Sequence, residues 1–208
     1  MVKVLYLHGF ASSPESTKVL SVRELLAPER IELEAPDLNV PSFERLDFEA
    51  MVQVAVRGAV GTSAIAGSSL GALVALAAVQ RGVHLPLVLI APALGIADRW
   101  LPELPPGDPI EVEHYAFGRK LPIHRAFFEQ MSRLEVDRRP PPVPVTIVMG
   151  RRDESVPFER VERVWKAWGA PGRFIEIEDG DHRLTGAIGT IAEQIRAAAS
   201  SDIVRKIP

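Results

Sequence analysis

Cysteine is absent from the chain. That excludes disulfide bridges, cysteine-ligated zinc and a thiol nucleophile. Asparagine is almost absent, Asn39 being the only one, and lysine is scarce beside arginine. Charge of one sign is lacking as well. The formal net charge is -3 and no long basic run occurs, so neither nucleic acid nor an acidic membrane surface is the expected partner. Long apolar runs are missing. The stretch 71–79 is apolar throughout but far below the ~20 residues that cross a bilayer. The first residues pass directly into His8-Gly9, without the apolar stretch and small-residue cleavage site of a signal peptide. A cytoplasmic location and no membrane partner are the expectations.

What the chain does have is apolar residues, 47% of 208, enough for one full core in a single domain. It also has 18 prolines. Few amides, no cysteine and proline-rich loops suit a heat-stable, thermophilic protein. A GC-rich genome would give the same arginine bias, and both explanations stand.

The rest of the chain can be read around Gly67-Ser68-Ser69-Leu70-Gly71. A short run of small apolar residues, 62–66, precedes it, and 70–79 follows, apolar on nearly every side. The order predicts a buried strand, a sharp turn and a buried helix, the context in which Gly-x-Ser-x-Gly lifts its middle serine to the carboxyl edge of a sheet. Ser69 is that serine. Gly67 and Gly71 are the small residues such a crowded turn requires.

Further strands are expected at 2–7, 31–35 (alternating, nearer an edge), 85–90, 144–149 and 173–177. Helices are expected from Ser13-Pro14-Glu15 to about 26, and over about 43–60, 158–168 and 184–199. Strands alternating with helices imply a parallel sheet with helices on both faces. From 93 to 142 the pattern breaks into clustered prolines and scattered aromatics, with one convincing helix at 122–134. A small cap or lid insertion and a long crossover loop are the two readings of this segment.

In a parallel sheet the loops after the strand C-termini share one rim, where ligands bind. His8, Ser69, Asp153 and His182 each follow an expected strand. A neutral serine hydroxyl needs a base, and His182 is the candidate. Asp153 is the candidate carboxylate to hold its other ring N–H. Asp179, Asp181 and Glu154 are rival acids; Asp181 adjoins His182, but neighbouring side chains seldom face each other. The order Ser…Asp…His is that of α/β-hydrolases. The oxyanion would take the backbone N–H groups of Leu70 and of Phe10, which follows His8-Gly9. His8 is read as bracing that loop. Trp100, Tyr115, Phe117 and Phe127 are the candidate walls of an apolar pocket favouring uncharged acyl or aryl groups; a dimer contact, giving a homodimer, is the other reading of exposed aromatics here.

With these residues assembled, the chain resembles the α/β-hydrolase superfamily over essentially its whole length, and more narrowly the small YqiA-type bacterial esterases. The resemblance lies in Tyr6-Leu7-His8-Gly9-Phe10-Ala11-Ser12-Ser13-Pro14 with Ser16 and Lys18, in Gly67–Gly71, in the Gly-x-x-Asp-Glu-x-Val-Pro pattern at 150–157, and in Gly180-Asp181-His182-Arg183. Ala72 stands where many members have a second glycine, and the cap segment is longer than a minimal member needs. The resemblance implies a three-layer α/β-hydrolase fold with a trimmed, mostly parallel sheet of about six or seven strands. It also implies a cofactor-free serine esterase acting on small-molecule esters through an acyl-enzyme. Thioester, lactone, amide and C–C bond hydrolysis use the same machinery. A non-catalytic binding domain on the hydrolase fold is a second reading, and a metal site at His8 and His182 is a third, with no helical histidine spacing behind it.

Overall fold

The structure is a computed structural model that describes residues 1–95 and 97–200, without the side chains of 97–99. Six strands form one sheet: β1 (Val2–Leu7), β2 (Ile31–Glu34), β3 (Ala64–Ser68), β4 (Leu87–Ile90), β7 (Val145–Gly150) and β8 (Gly172–Ile177). Their order is β2-β1-β3-β4-β7-β8, with every neighbouring pair parallel. The four central strands are almost wholly apolar because both faces are covered. The edge strand β2 alternates between buried and half-buried residues, as its sequence predicts.

Helices α1 (Thr17–Leu26) and α7 (Ile188–Ala199) pack on each other, while α2 (Phe48–Gly58) packs on α3 (Leu70–Gln80); α3 and α7 each lie against β1, β3 and β4. Helix α3 is buried at every position from Leu70 to Val79, which is why its sequence shows no polar face. Helix α6 (Phe158–Trp168) lies against β7 and ends at Gly169, whose positive φ of 55° closes its last turn.

Several boundaries differ from expectation: β4 begins at Leu87 rather than 85, α7 begins at Ile188 after a single turn of 3-10 helix, Thr185–Ala187, and two helix starts shift for plain local reasons. Helix α1 starts at Thr17 rather than near Ser13, because residues 10–11 and 14–15 form turns, the second closed by the Ser16 N–H donating to Ser13 O at 3.2 Å. Helix α2 starts at Phe48 rather than near 43, because the Asp47 carboxylate accepts the Ala50 N–H at 2.6 Å and fixes the start there. Between β4 and β7 lie α4 (Ala97–Glu103), an antiparallel ribbon of β5 (Ile110–His114) and β6 (Arg119–Ile123), and α5 (Arg125–Met131). Only one helix was expected there, over 122–134; it is α5, shorter at both ends because Pro122 and Ile123 pair in β6 and the helix stops at Met131. The ribbon is seated by His114, which is fully buried between the rings of Phe43 and Phe117, with burial lowering its pKa. Among the described residues no helix is long and apolar enough to cross a membrane.

Candidate active site

Ser69 sits between the end of β3 and the start of α3 with φ 52° and ψ -113°. That conformation is costly for a residue with a Cβ. The surroundings hold it: Ser69 N–H donates to Ile90 O at 2.9 Å, and Ser69 O accepts the Ala72 N–H at 3.1 Å. The flanking glycines are steric requirements. A Cβ on Gly67 would lie 2.5 Å from Gly71 O, and one on Gly71 would lie 2.1 Å from Leu7 O. The strand, the helix and the end of β1 therefore approach each other over bare backbone.

Asp153 follows β7, and its side chain is fully buried. Its Oδ1 accepts the N–H groups of Ser155 at 2.9 Å and Val156 at 2.7 Å, which aims Oδ2 away from the loop. Oδ2 lies 2.8 Å from His182 Nδ1. A carboxylate there assigns the ring proton to Nδ1, leaving the Nε2 lone pair facing Ser69 Oγ at 3.1 Å. The two loops meet because Gly150 and Gly180 touch: a Cβ on Gly150 would stand 2.3 Å from Gly180 O. The rival acids are engaged elsewhere. Asp179 pairs with Arg152 at 2.6 Å, Asp181 Oδ1 accepts the Leu184 N–H at 2.8 Å, and Glu154 Oε2 accepts the His182 backbone N–H at 3.3 Å.

The loop 8–10 abuts this centre, since a Cβ built on Gly9 would lie 3.4 Å from Ser69 Cβ. His8 is buried, donates from Nδ1 to Gly9 O at 2.9 Å and accepts the Leu38 N–H on Nε2 at the same distance. Both ring nitrogens of His8 and both of His182 thus have protein partners. Leu70 is the first residue of α3, so its N–H is among those a helix leaves unpaired at its positive end.

A cleft of about 1110 Å³ opens over Ser69 and His182. Its apolar wall contains Phe10, Trp100, Leu104, Val112 and Phe128. The Phe10 ring lies 5.0 Å from Trp100 and 5.9 Å from both Phe127 and Phe128. Tyr115 and Phe117 reach the cleft from the ribbon tip, where both remain mostly exposed. Phe127 does not reach it. That ring is buried behind Phe10, and Phe128, one residue on, faces the cleft instead. Neighbours in a helix point about 100° apart, so only one of the pair can face the opening.

The apolar-pocket expectation describes one wall only. The floor carries Tyr6, Ser68 and Lys18. Lys18 Nζ donates to Ser68 Oγ at 3.1 Å, and burial lowers its pKa to about 8. The sequence reading missed this group as part of the site. The available signal was its position: Lys18 shares the inward stripe of α1 with Val22 and Leu26, where a charge is out of place.

Solved structures share this architecture. Est1E from Butyrivibrio proteoclasticus, with ferulic acid bound, is 21% identical with a TM-score of 0.76, covering 95% of this chain and 87% of its own. Mouse alpha/beta hydrolase domain-containing protein 10 is 21% identical with a TM-score of 0.72, covering 94% and 88%. The esterase domain of a Rhodothermus marinus protein is 17% identical with a TM-score of 0.66, covering 96% and 88%. At such identities the likeness establishes the α/β-hydrolase fold. No curated protein matches the chain. A family profile, however, spans residues 3–198, nearly everything the fold uses, and on that match the chain belongs to UPF0227, an uncharacterised protein family whose fold here is that of the α/β-hydrolases.

Proposed function

We propose that the protein is a serine hydrolase of carboxylic esters. The observation that carries this reading is the linear array Ser69–His182–Asp153, with contacts of 3.1 and 2.8 Å, built on a strained strand-to-helix turn. In the proposed reaction Ser69 Oγ attacks the acyl carbon while His182 Nε2 takes its proton. Asp153 holds the ring and stabilises the imidazolium. The N–H groups of Leu70 and Phe10 receive the negative charge of the tetrahedral oxygen. His182 then returns the proton to the departing alkoxide, and water releases the acid by the same steps in reverse roles. No cofactor takes part.

Residues 93–142 act in this reading as a cap over Ser69, supplying Trp100, Phe128 and the ribbon tip to the cleft. The aromatic wall supports an aryl or medium acyl group as the part of the substrate it covers. That one structural neighbour, Est1E, holds ferulic acid, which carries an aryl ring, agrees with it. Thioesters, lactones and amides would meet the same machinery and differ in leaving group.

The test is intact-mass analysis after exposure to a fluorophosphonate, with Ser69→Ala alongside. One adduct on the wild-type chain and none on the variant is expected, with ester turnover falling by about 10⁴-fold or more in Ser69→Ala. A variant that keeps turnover within a few-fold overturns the reading.

A further inference from the structure

The acyl-transfer steps leave three polar groups on the cleft floor without a task. Lys18 Nζ carries three donor hydrogens, and its hydrogen-bond partner among the described residues is the neutral hydroxyl of Ser68. The nearest carboxylates act on it only through space. They are Asp181, committed to the Leu184 N–H, and Asp153, committed to His182. Beside Ser68 lies the hydroxyl of Tyr6, a residue only 1% exposed, and it makes no hydrogen bond of good geometry among the described residues. A largely desolvated ammonium without a direct ion pair and a buried hydroxyl with no well-formed hydrogen bond are each unfavourable, unless a ligand supplies what is missing.

Both defects lie on the floor of the same cleft, and Ser68 is the residue before the nucleophile. A carboxylate matches them. Its two oxygens accept the remaining ammonium hydrogens and the phenol O–H, and its charge balances Lys18. Resting on the hydrolase reading above, we infer that Lys18, Ser68 and Tyr6 form an anion-accepting subsite, and that the substrate is an ester carrying a free carboxylate, such as a hemiester of a dicarboxylic acid. The aromatic wall then covers the apolar portion and the floor holds the charged end.

The lowered pKa of Lys18, about 8, adds a handle. The other charged or titratable groups on the cleft are Glu15, Glu103, Glu154, Tyr115, Arg183, His8 and His182. Comparing two esters at each pH cancels titrations that affect both equally, the triad's included. The experiment measures kcat/KM for the monobenzyl esters of succinate, glutarate and adipate against benzyl pentanoate. At about pH 7 at least one hemiester is expected to be preferred by about tenfold, as one charge-assisted contact provides. The preference should shrink toward unity by about pH 9.5, and it should be lost in Lys18→Met. No preference for any hemiester at pH 7, or a preference unchanged in Lys18→Met, overturns the subsite.

If Lys18→Met does not fold, the wild-type pH series decides alone. If neither ester is turned over, the hydrolase reading has failed separately. Calorimetric binding of the best-fitting hemiester and of benzyl pentanoate to Ser69→Ala then tests the floor. Tighter binding of the hemiester upholds the subsite, and equal binding overturns it.

Discussion

A single lysine carries the least expected property of the molecule. Lys18 has a folded-state pKa of about 8 against 10.5 for the free side chain, because burial penalises its charge. Below pH 8 the chain must hold that ammonium in the fold, so the full penalty is present there. Between pH 8 and 10.5 the unfolded chain binds more protons than the folded one, and stability rises with pH. The difference corresponds to roughly 3 kcal/mol at most. Lys18→Met is therefore expected to be more stable than wild type at pH 7, with the gap closing as the pH approaches 10.5; denaturant melts at several pH values check this. A variant less stable at pH 7 would mean that the hydrogen bond to Ser68 outweighs the burial cost. Residues of this kind, kept against stability, are found where function needs them. The choice of Asp153 over Asp179, Asp181 and Glu154 also belongs to this scale. Sequence order suggested it, but the decisive fact is that Ser155 and Val156 N–H groups turn its second oxygen toward His182.

At the scale of elements, the unit formed by β3, the turn and α3 was legible because all of it is buried except the half-buried Ser69 and the exposed Gln80 at its end. Burial on all sides writes itself into the sequence as an unbroken small and apolar run. The same crowding makes a prediction. Gly71→Ala would push a Cβ to 2.1 Å from Leu7 O, which only a shift of backbone can relieve. A loss of about 3 kcal/mol or more is expected, whereas Gly186→Ala, with nothing within 4 Å, should stay within about 0.5 kcal/mol. Paired urea melts compare them. The ribbon of β5 and β6 was not foreseen, although Ile110-Glu111-Val112-Glu113-His114 does alternate. Two short strands pairing only with each other, one of them containing Pro122, give a weak signal beside the prolines around them.

At the scale of the whole molecule, the scarcity of amides, the absence of cysteine and the proline-rich loops predict a melting midpoint above the ~45–65 °C of ordinary domains. Scanning calorimetry tests this, and a midpoint inside that range would assign the arginine bias to base composition alone. Outside residues 93–142, the sequence by itself determined the strand and helix order, the sheet's parallel character and the set of loops that share its carboxyl rim. Those features follow from local periodicity and from the chirality of the connections. Only the tertiary structure decided which side chains meet there. The 3.1 Å contact between Ser69 and His182 spans 113 positions of chain, and the exchange of Phe127 for Phe128 at the cleft turns on the rotation of one short helix. Lys18 joined the site for the same reason. A lysine on an inward stripe is visible in the sequence, but the hydroxyls that wait beside it come from two other strands, and packing alone brings them together.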